Sequence, residues 1–540
     1  MDDDDQVKGQ EETFHGGFRQ SMAWLHTWAG LVLSLLLYFV FITGSFGYFN
    51  TEITHWMQPE MPHLQAELNV AEQSQAALDH LQRVAPDASR YLVRFPSERA
   101  NGAIRVFANL KTPDAKGARN LNQLIDPDTG SPIEARSTGG GNALYRMHYA
   151  LHYIPYQAAV YTVGVATLFM LLAIFTGIVT HKKILADFFT LRVGKGQRSW
   201  LDAHNMSSVL ALPFMLMITY SGLVFYTFQY SPGVAVLSLG AEQETFRTLN
   251  RYLYPRIENP QATGDAAQMV PVAGPLETAQ ALWPDARLRF LQINHPGDAA
   301  ATLSIGRWPE GIARRGEILY FDAVSGELHE RMPAQPPSSV FASATMSLHE
   351  GHFADYYLRW LYFLSGLLGA AMIATGSLLW AKKRRNQYRG RPPRSIRFVE
   401  RANLGTIVGL PLGCAAYFWA NRLLPVGLDE RAAWELHCLF VVWALSFMHA
   451  GARELRCAWR EQVGLLAGLF MALPLLNALT TDVHLGVTLG QGDWVRAGFD
   501  LSALVFGVAL LFVRRRLPAP EPRSQPIIAM DSLPSPKIGG

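Results

Sequence analysis

Residues 25–49 read LHTWAGLVLSLLLYFVFITGSFGYF and contain no Asp, Glu, Lys or Arg. About 20 apolar residues in a helix cross the ~30 Å hydrocarbon core of a bilayer, so this run predicts a membrane-spanning helix. Seven more apolar runs follow, which we place within residues 143–182, 203–227, 348–383 and, for the last four, 404–513. The sequence therefore predicts a multi-span α-helical membrane protein with about eight transmembrane helices.

The composition agrees with this fold class. Of the 540 residues, 49% are hydrophobic and only 17% are charged, below the roughly 25% usual in soluble proteins. Such a composition excludes a disordered chain and favours membrane helices that alternate with sizeable aqueous segments. The formal net charge is only +3, so we expect the lipid bilayer and no nucleic acid among the partners.

Basic residues set the predicted orientation, because short cytoplasmic loops carry an excess of Lys and Arg. They follow every even-numbered span, beginning at Lys182, Lys382, Arg453 and Arg514. We therefore expect both termini, residues 1–24 and 514–540, and two loops, residues 183–202 and 384–403, in the cytoplasm of a bacterium. Residues 25–49 are interpreted as an inner-membrane anchor, since the acidic start does not fit a signal peptide. The Pro/Ser-rich tail is predicted to be disordered.

Two long segments, residues 50–142 and 228–347, are then predicted to face the periplasm. Each reads as an amphipathic helix followed by alternating strands and by a turn that begins with Asp and ends with Gly. The turns are DPDTG at residues 126–130 and DAVSG at residues 322–326. We therefore predict two small α+β domains of similar build.

The similarity extends into the membrane spans. His26 precedes Gly44 by the same number of residues as His204 precedes Gly222, and the pair Thr176-Gly177 matches Thr375-Gly376. The first ~385 residues are thus an internal duplication of helix, aqueous domain and helix. A duplicated scaffold places paired groups on facing helices, which is how helical bundles build cofactor sites.

Seven of the 16 histidines lie at the ends of the first four spans: His26, His181 and His204 at the cytoplasmic end, and His148, His152, His349 and His352 at the outer end. The spacing within each outer pair predicts that its two members share one helix face. Imidazoles at membrane depth usually mark proton, ion or cofactor sites. Two layers of histidine on four helices predict two noncovalent b-type haems, each ligated by one imidazole from each of two helices.

Other interpretations remain open. A single interfacial histidine is more simply an amphipathic anchor, and the His148/His152 pair could hold zinc, although no carboxylate or thiolate beside it completes a ligand set. The three cysteines form neither a covalent-haem motif nor an iron–sulfur set, and no glycine motif for nucleotides is present. The histidines in or near the exported segments are interpreted as surface residues: His55, His63, His80, His295 and His329.

Several motifs, in order along the chain, resemble those of the PepSY-associated transmembrane proteins. They are LHTWAG at residues 25–30, LH at 151–152, FTG at 175–177, SWLDAHN at 199–205, LHEGH at 348–352 and RWLYFLSG at 359–366. The resemblance covers residues 15–395 and implies PepSY-like folds for the exported domains of an iron-regulated inner-membrane protein. The better-understood members are ferric-siderophore reductases with two b-type haems. By this resemblance the inner haem ligands are His26 and His204, with His181 as competitor, and the outer ligands are His349 and either His148 or His152.

The resemblance also implies an activity. The protein would be an oxidoreductase that passes electrons from a cytoplasmic reductant or a quinol to a periplasmic ferric siderophore or other ferric chelate, releasing Fe(II). Two other classes stay open, because a shared fold is a weak guide to substrate. One is a siderophore transporter or permease accessory, and the other is a PepSY-type regulatory anchor without redox activity. The four helices within residues 404–513 depart from the short form of the family.

Overall fold

The computed structural model describes residues 17–62, 69–96, 99, 102–113, 117–181, 192, 194–230, 237, 244, 247–248, 257–312, 316–332, 335–388 and 392–519. Outside these ranges lie part of the predicted cytoplasmic terminus, Lys182 of the first basic loop, His63 and most of the predicted tail. Within them, eight helices are long and apolar enough to cross a membrane. The prediction of a multi-span helical protein is confirmed.

The elements follow the predicted duplication. The first copy comprises α1 (Phe18–Gly47), α2 (Asn50–Met57), α3 (Val70–Val84), β1 (Ala88–Arg94), β2 (Ile104–Leu110), β3 (Asn120–Ile125), α4 (Gly140–Ala150) and α5 (Tyr156–Thr180). The second comprises α6 (Gln197–Val224), α7 (Thr227–Tyr230), α8 (Ala273–Leu282), β4 (Leu288–Asn294), β5 (Thr302–Arg307), β6 (Ile318–Asp322), β7 (Leu328–Arg331), α9 (Pro337–Glu350) and α10 (Tyr356–Gln387). The remainder comprises α11 (Arg394–Ile407), α12 (Gly409–Leu423), α13 (Arg431–Ala452), α14 (Leu455–Thr480), α15 (Leu485–Gln491) and α16 (Trp494–Arg516).

The spans of the two copies close into a four-helix bundle, in which α1 packs against α5 and α10, and α6 packs against the same two helices. Helices α4 and α9 are separate lead-ins, because the chain turns sharply before α5 and α10. Leu151 and Tyr153 have φ angles of +30° and +66° after α4, and Gly351 has a φ of +64° after α9. These left-handed residues end each helix before its second histidine. The prediction that each outer pair shares one helix face is therefore wrong.

The two segments predicted to be exported form one antiparallel sheet with the strand order β3-β2-β1-β4-β5-β6-β7. The copies join where β1 pairs with β4, from Arg90 opposite Asn294 to Arg94 opposite Phe290. Helices α3 and α8 cover one face over a shared apolar core. The sequence predicted two domains of this build, but not that they share a sheet.

Two exported-segment histidines are buried, contrary to the prediction that they lie on the surface. His80 is 2% exposed, and its Nε2 lies 2.8 Å from Gln123 Oε1 beneath the sheet. His55 is 6% exposed and lies 3.6 Å from a carboxylate oxygen of Asp493 in the C-terminal helices. Both imidazoles thus have structural partners away from the histidines of the spans.

The C-terminal helices pack against the first copy, beside α1 and α2. Tyr38 on α1 donates a hydrogen bond of 2.9 Å to the carbonyl of Ile407, and the Phe39 ring stacks on Trp443 at 5.4 Å. On the outer side, Trp56 donates its indole N–H to Asp500 at 2.9 Å. These helices therefore support one copy of the duplication more than the other.

Candidate functional site

Four of the seven candidate histidines meet in two pairs, one at each end of the bundle. The rings of His26 on α1 and His204 on α6 are 6.3 Å apart between centroids. The rings of His148 on α4 and His349 on α9 are 5.9 Å apart. Metal–imidazole bonds of ~2 Å place two rings on opposite sides of one ion at about 6 Å between centroids. Each pair, with one histidine from each copy, has the separation that a shared metal requires.

Each of these four imidazoles packs against a glycine on a neighbouring helix. A Cβ added at Gly177 would lie 3.1 Å from His26 Cε1, and one added at Gly376 would lie 3.0 Å from His204 Cε1. At the outer end, Gly222 faces His349 in the same way, and Gly44 lies closest of all to His148. An added Cβ would displace the His148 ring at Gly44, whereas at the other three glycines the ring would have to move by a few tenths of an ångström.

The backbone beside each glycine fixes the orientation of the ring. The Nδ1 atoms of His26, His204 and His148 lie 2.9, 2.9 and 2.7 Å from carbonyl oxygens. Those carbonyls belong to Ala173, Met372 and Val40, each four residues before the glycine. A carbonyl only accepts, so Nδ1 carries the proton and donates, and Nε2 keeps its lone pair for a metal.

His349 reaches the same state through a hydroxyl. Its Nδ1 lies 3.0 Å from Ser221 Oγ, and Ser221 itself donates to the carbonyl of Met217 at 2.6 Å. The hydroxyl hydrogen is thereby used, so Ser221 accepts from His349. All four histidines present Nε2 as the free ligand atom.

A short motif lies behind this arrangement. Each of the four glycines follows a Thr or Ser whose hydroxyl donates to the carbonyl four residues earlier: Thr43 to Phe39, Thr176 to Leu172, Ser221 to Met217 and Thr375 to Ala371. Only two of these dipeptides, Thr176-Gly177 and Thr375-Gly376, were recognised from the sequence. A search for Thr-Gly or Ser-Gly in every span would have found all four.

The other three candidates lie outside the pairs. His152 follows the end of α4 and stacks on Phe440 at 5.4 Å. His352 follows the end of α9, has a 61% exposed side chain and lies 3.8 Å from Glu350. His181 is the first residue after α5 and lies near enough to influence His204 electrostatically. The structure thus places His148, and not His152, opposite His349.

The two pairs fit a haem better than a bare metal ion. Within the described ranges, no three His, Cys, Asp or Glu side chains converge on one point. Structural zinc takes four protein ligands and catalytic zinc three, whereas a porphyrin leaves only two axial positions to the protein. Two imidazoles per layer, each with a free Nε2, match those two positions.

Comparison with known families gives one match, to the family described as the PepSY-associated TM region, over residues 23–383. The chain belongs to this family. The matched region contains all four paired histidines and their glycines, and it ends before α11. Among curated proteins, no match is found.

A buried polar cluster joins the C-terminal helices to the start of α4, the helix that carries His148. The sequence did not predict this cluster. Arg431 and Glu435 on α13 form an ion pair with both side chains 0% exposed. Glu435 also accepts from the Thr138 hydroxyl at 2.6 Å and from the Gly139 N–H at 3.2 Å. Tyr417 donates to the carbonyl of Gly140 at 2.9 Å. These contacts hold the chain where it enters α4, the helix that carries His148.

The sheet face opposite α3 and α8 carries two neighbouring arginines. Arg94 on β1 lies directly opposite Arg105 on β2, an arrangement that is destabilising without a counter-charge. Burial, and then the neighbouring Arg94 guanidinium, lower the pKa of Arg105. Among the described residues neither has a carboxylate partner; Arg105 donates to the Asn122 side chain at 3.2 Å, and Arg94 lies over the Phe107 ring at 5.2 Å. This face can accept an anionic, oxygen-rich ligand.

Proposed function

We propose that this protein is an inner-membrane di-haem reductase that passes electrons to a ferric siderophore or other ferric chelate on the periplasmic side. The carrying observation is that two imidazole pairs, one at each end of the bundle, are each fixed by a glycine and by a hydrogen bond at Nδ1. On α1, His26 belongs to one layer and Gly44 contacts the other. A rise of 1.5 Å per residue puts these two residues about 27 Å apart along the helix, close to the ~30 Å thickness of the hydrocarbon core.

His26 and His204 would hold the inner b-type haem, and His148 and His349 the outer one. A haem held by two imidazoles would supply one-electron chemistry, which suits electron transfer better than oxygen activation. The chain holds the four rings in one tautomer and keeps the layers apart. The donor of electrons would be a cytoplasmic reductant or a quinol.

The substrate side of the proposal draws on the exported sheet. Arg94 and Arg105 offer two cations without a described acidic partner, and guanidinium groups pair well with carboxylates and other oxyanions. An iron chelate held there and reduced to Fe(II) would release its metal, since a lower charge attracts hard oxygen ligands less. Localisation in a bacterial inner membrane with both termini cytoplasmic belongs to the same proposal, on the strength of the basic loops.

An absorption spectrum of the detergent-purified protein, oxidised and then reduced with dithionite, tests the proposal. We expect b-type bands and a pyridine haemochrome count of two haems per chain. His349→Ala and His148→Ala should each remove the outer haem only, and His26→Ala and His204→Ala the inner haem only. His152→Ala is the matched control and should retain both. A haem-free wild-type protein from haem-replete cells would refute the proposal.

A second candidate is a siderophore transporter or permease accessory, and one observation favours it. Arg422, Arg431, Glu435 and Asp500 lie buried among the C-terminal helices, and buried ionisable groups in membrane spans often line transport paths. These groups, however, bond to one another and to backbone carbonyls of the first copy, as a structural joint requires. A regulatory anchor without redox activity would instead tolerate alanine at all four paired histidines.

A further inference from the structure

The glycine motif continues for one more helical turn. Four residues after each glycine lies an aromatic residue that carries a polar atom: Tyr48, His181, Tyr226 and Trp380. Residues four apart share a helix face, so Trp380, which lies inside α10, shares the face against which His204 packs. Tyr48, His181 and Tyr226 follow the ends of their helices. Each also lies on the side of the nearer membrane surface, because the four glycines stand close to the ends of their spans.

Trp380 differs from the two tyrosines in its hydrogen bonding. Tyr48 donates to the carbonyl of His349 at 3.4 Å, and the Tyr226 and Tyr156 hydroxyls lie 3.1 Å apart. The indole nitrogen of Trp380 is buried and has no acceptor among the described residues. Since nearly all buried N–H groups have an acceptor, this donor requires a partner that the described residues do not supply.

The position of the indole indicates where that partner lies. Helical side chains lean toward the N-terminus of their helix, so we expect the Trp380 ring over the turn that contains Gly376. His204 packs against that glycine, with its Cε1 3.0 Å from the position of an added Cβ. On the other side, the Arg384 guanidinium lies 5.7 Å from the indole centroid, and it offers only donors. The space beside His204 is therefore the place where we look for the acceptor.

We propose that Trp380 donates its indole N–H to a carboxylate of the tetrapyrrole held between His26 and His204, an inference that rests on the proposed function. A b-type haem carries two propionate groups, which are pure acceptors when ionised. A hydrogen bond to a carboxylate is stronger than one between neutral groups, so it would retain the haem. It would also offset negative charge near the iron, which favours the reduced state.

Trp380→Phe tests this inference, with Trp459→Phe as the matched control. Trp459 lies at the same membrane end and is likewise partly buried, but it belongs to α14. We expect Trp380→Phe to keep both haems while the inner haem transfers to apomyoglobin about tenfold faster. The midpoint potential of the inner couple, assigned by its persistence in His349→Ala, should fall. Trp459→Phe should change neither quantity.

A second measurement compares two haems in the wild-type chain, and this comparison can be made even if Trp380→Phe does not accumulate. Protein reconstituted with haem dimethyl ester, which lacks the ionised carboxylates, should lose its inner haem faster than protein with ordinary haem. In Trp380→Phe that difference should shrink, since the donor is gone. Equal retention of the two haems by the wild type, or unchanged transfer rate and potential in Trp380→Phe, would make Trp380 an interfacial anchor. A wild type without haem would refute the proposed function instead.

Discussion

At the level of single residues, four glycines contact the paired imidazoles, and the contact is tightest at Gly44. We expect Gly44→Ala to weaken the outer haem, because the added Cβ would lie 2.7 Å from His148 Cε1. Forcing an extra methyl into a packed site costs about 1–3 kcal/mol, which corresponds to roughly 10–100-fold in haem affinity. Haem content per chain and the rate of haem transfer to apomyoglobin measure the effect.

The control for this prediction lies on the same helix. A Cβ added at Gly30 meets nothing within 4 Å, so Gly30→Ala should keep both haems. Alanine is the better helix former by about 1 kcal/mol, so a loss seen only at Gly44 could not come from helix propensity. An unchanged outer haem in Gly44→Ala would show that the ring does not need this glycine.

At the scale of elements, Glu435 links α13 to the entry of α4. We expect Glu435→Ala to destabilise the protein by about 3–5 kcal/mol, since it leaves Arg431 buried without its counter-charge. The outer haem couple should change more than the inner one, because Glu435 holds Thr138 and Gly139 ahead of His148. Thermal unfolding in detergent and potentiometric titration would measure the two effects.

Glu461→Ala is the matched control, since Glu461 pairs with Arg453 on the surface, where both side chains are about half exposed. Exposed ion pairs contribute only about 0–1 kcal/mol. If Glu461→Ala destabilised the protein as much as Glu435→Ala, the effect could not be assigned to the buried joint.

A second link between elements is made by the carboxylate of Glu52, and its contribution to stability should depend on pH. Glu52 on α2 accepts from Arg99 at 2.9 and 2.6 Å and from Arg359 on α10. Burial alone would raise the pKa of Glu52, but the Arg99 hydrogen bond and the two guanidinium charges hold this pKa below its usual range. A depressed folded-state pKa stabilises the fold above the unfolded value of about 4.3 and loses that contribution as pH falls below it.

We therefore expect Glu52→Gln to unfold at a lower temperature than the wild type at neutral pH. The difference should narrow as pH falls below about 4, where the wild-type carboxylate also becomes protonated. Thermal unfolding over that pH range tests the sign. A difference that widened toward acid pH would contradict this account of Glu52.

Individual helices and strands differ in how far the sequence predicts them. The amphipathic helix predicted within residues 50–142 is observed as α3, Val70–Val84, because amphipathic periodicity is a local signal. The pairing of β1 with β4 was not predicted, since nothing local records which edges meet. The sequence pattern also did not predict which of His148 and His152 lies opposite His349. That choice depends on positive φ at Leu151 and Tyr153, residues that give no glycine signal for a helix end.

At the level of the whole molecule, the duplication divides each histidine layer between two copies, so under the proposed function neither copy would hold a haem alone. Each single outer variant, His148→Ala or His349→Ala, should therefore lose as much outer haem as the double variant. Residues that act as one ligand set are non-additive in this way. Additive partial losses would point to separate sites.

Because the two histidine layers lie at opposite ends of the spans, the proposed function predicts the direction of electron transfer across the membrane. Proteoliposomes with a reductant sealed inside and a ferric chelate plus an Fe(II) indicator outside should develop colour only with the holoprotein. Removal of either layer should stop the reaction, since a span of about 27 Å along α1 separates them. Fe(II) formation at the wild-type rate in His26→Ala would mean that electrons do not cross through the inner pair.

The double variant Arg94→Ala with Arg105→Ala should keep both haems but need a higher chelate concentration to reach half its maximal rate of Fe(II) formation, because these cations lie on the exported sheet.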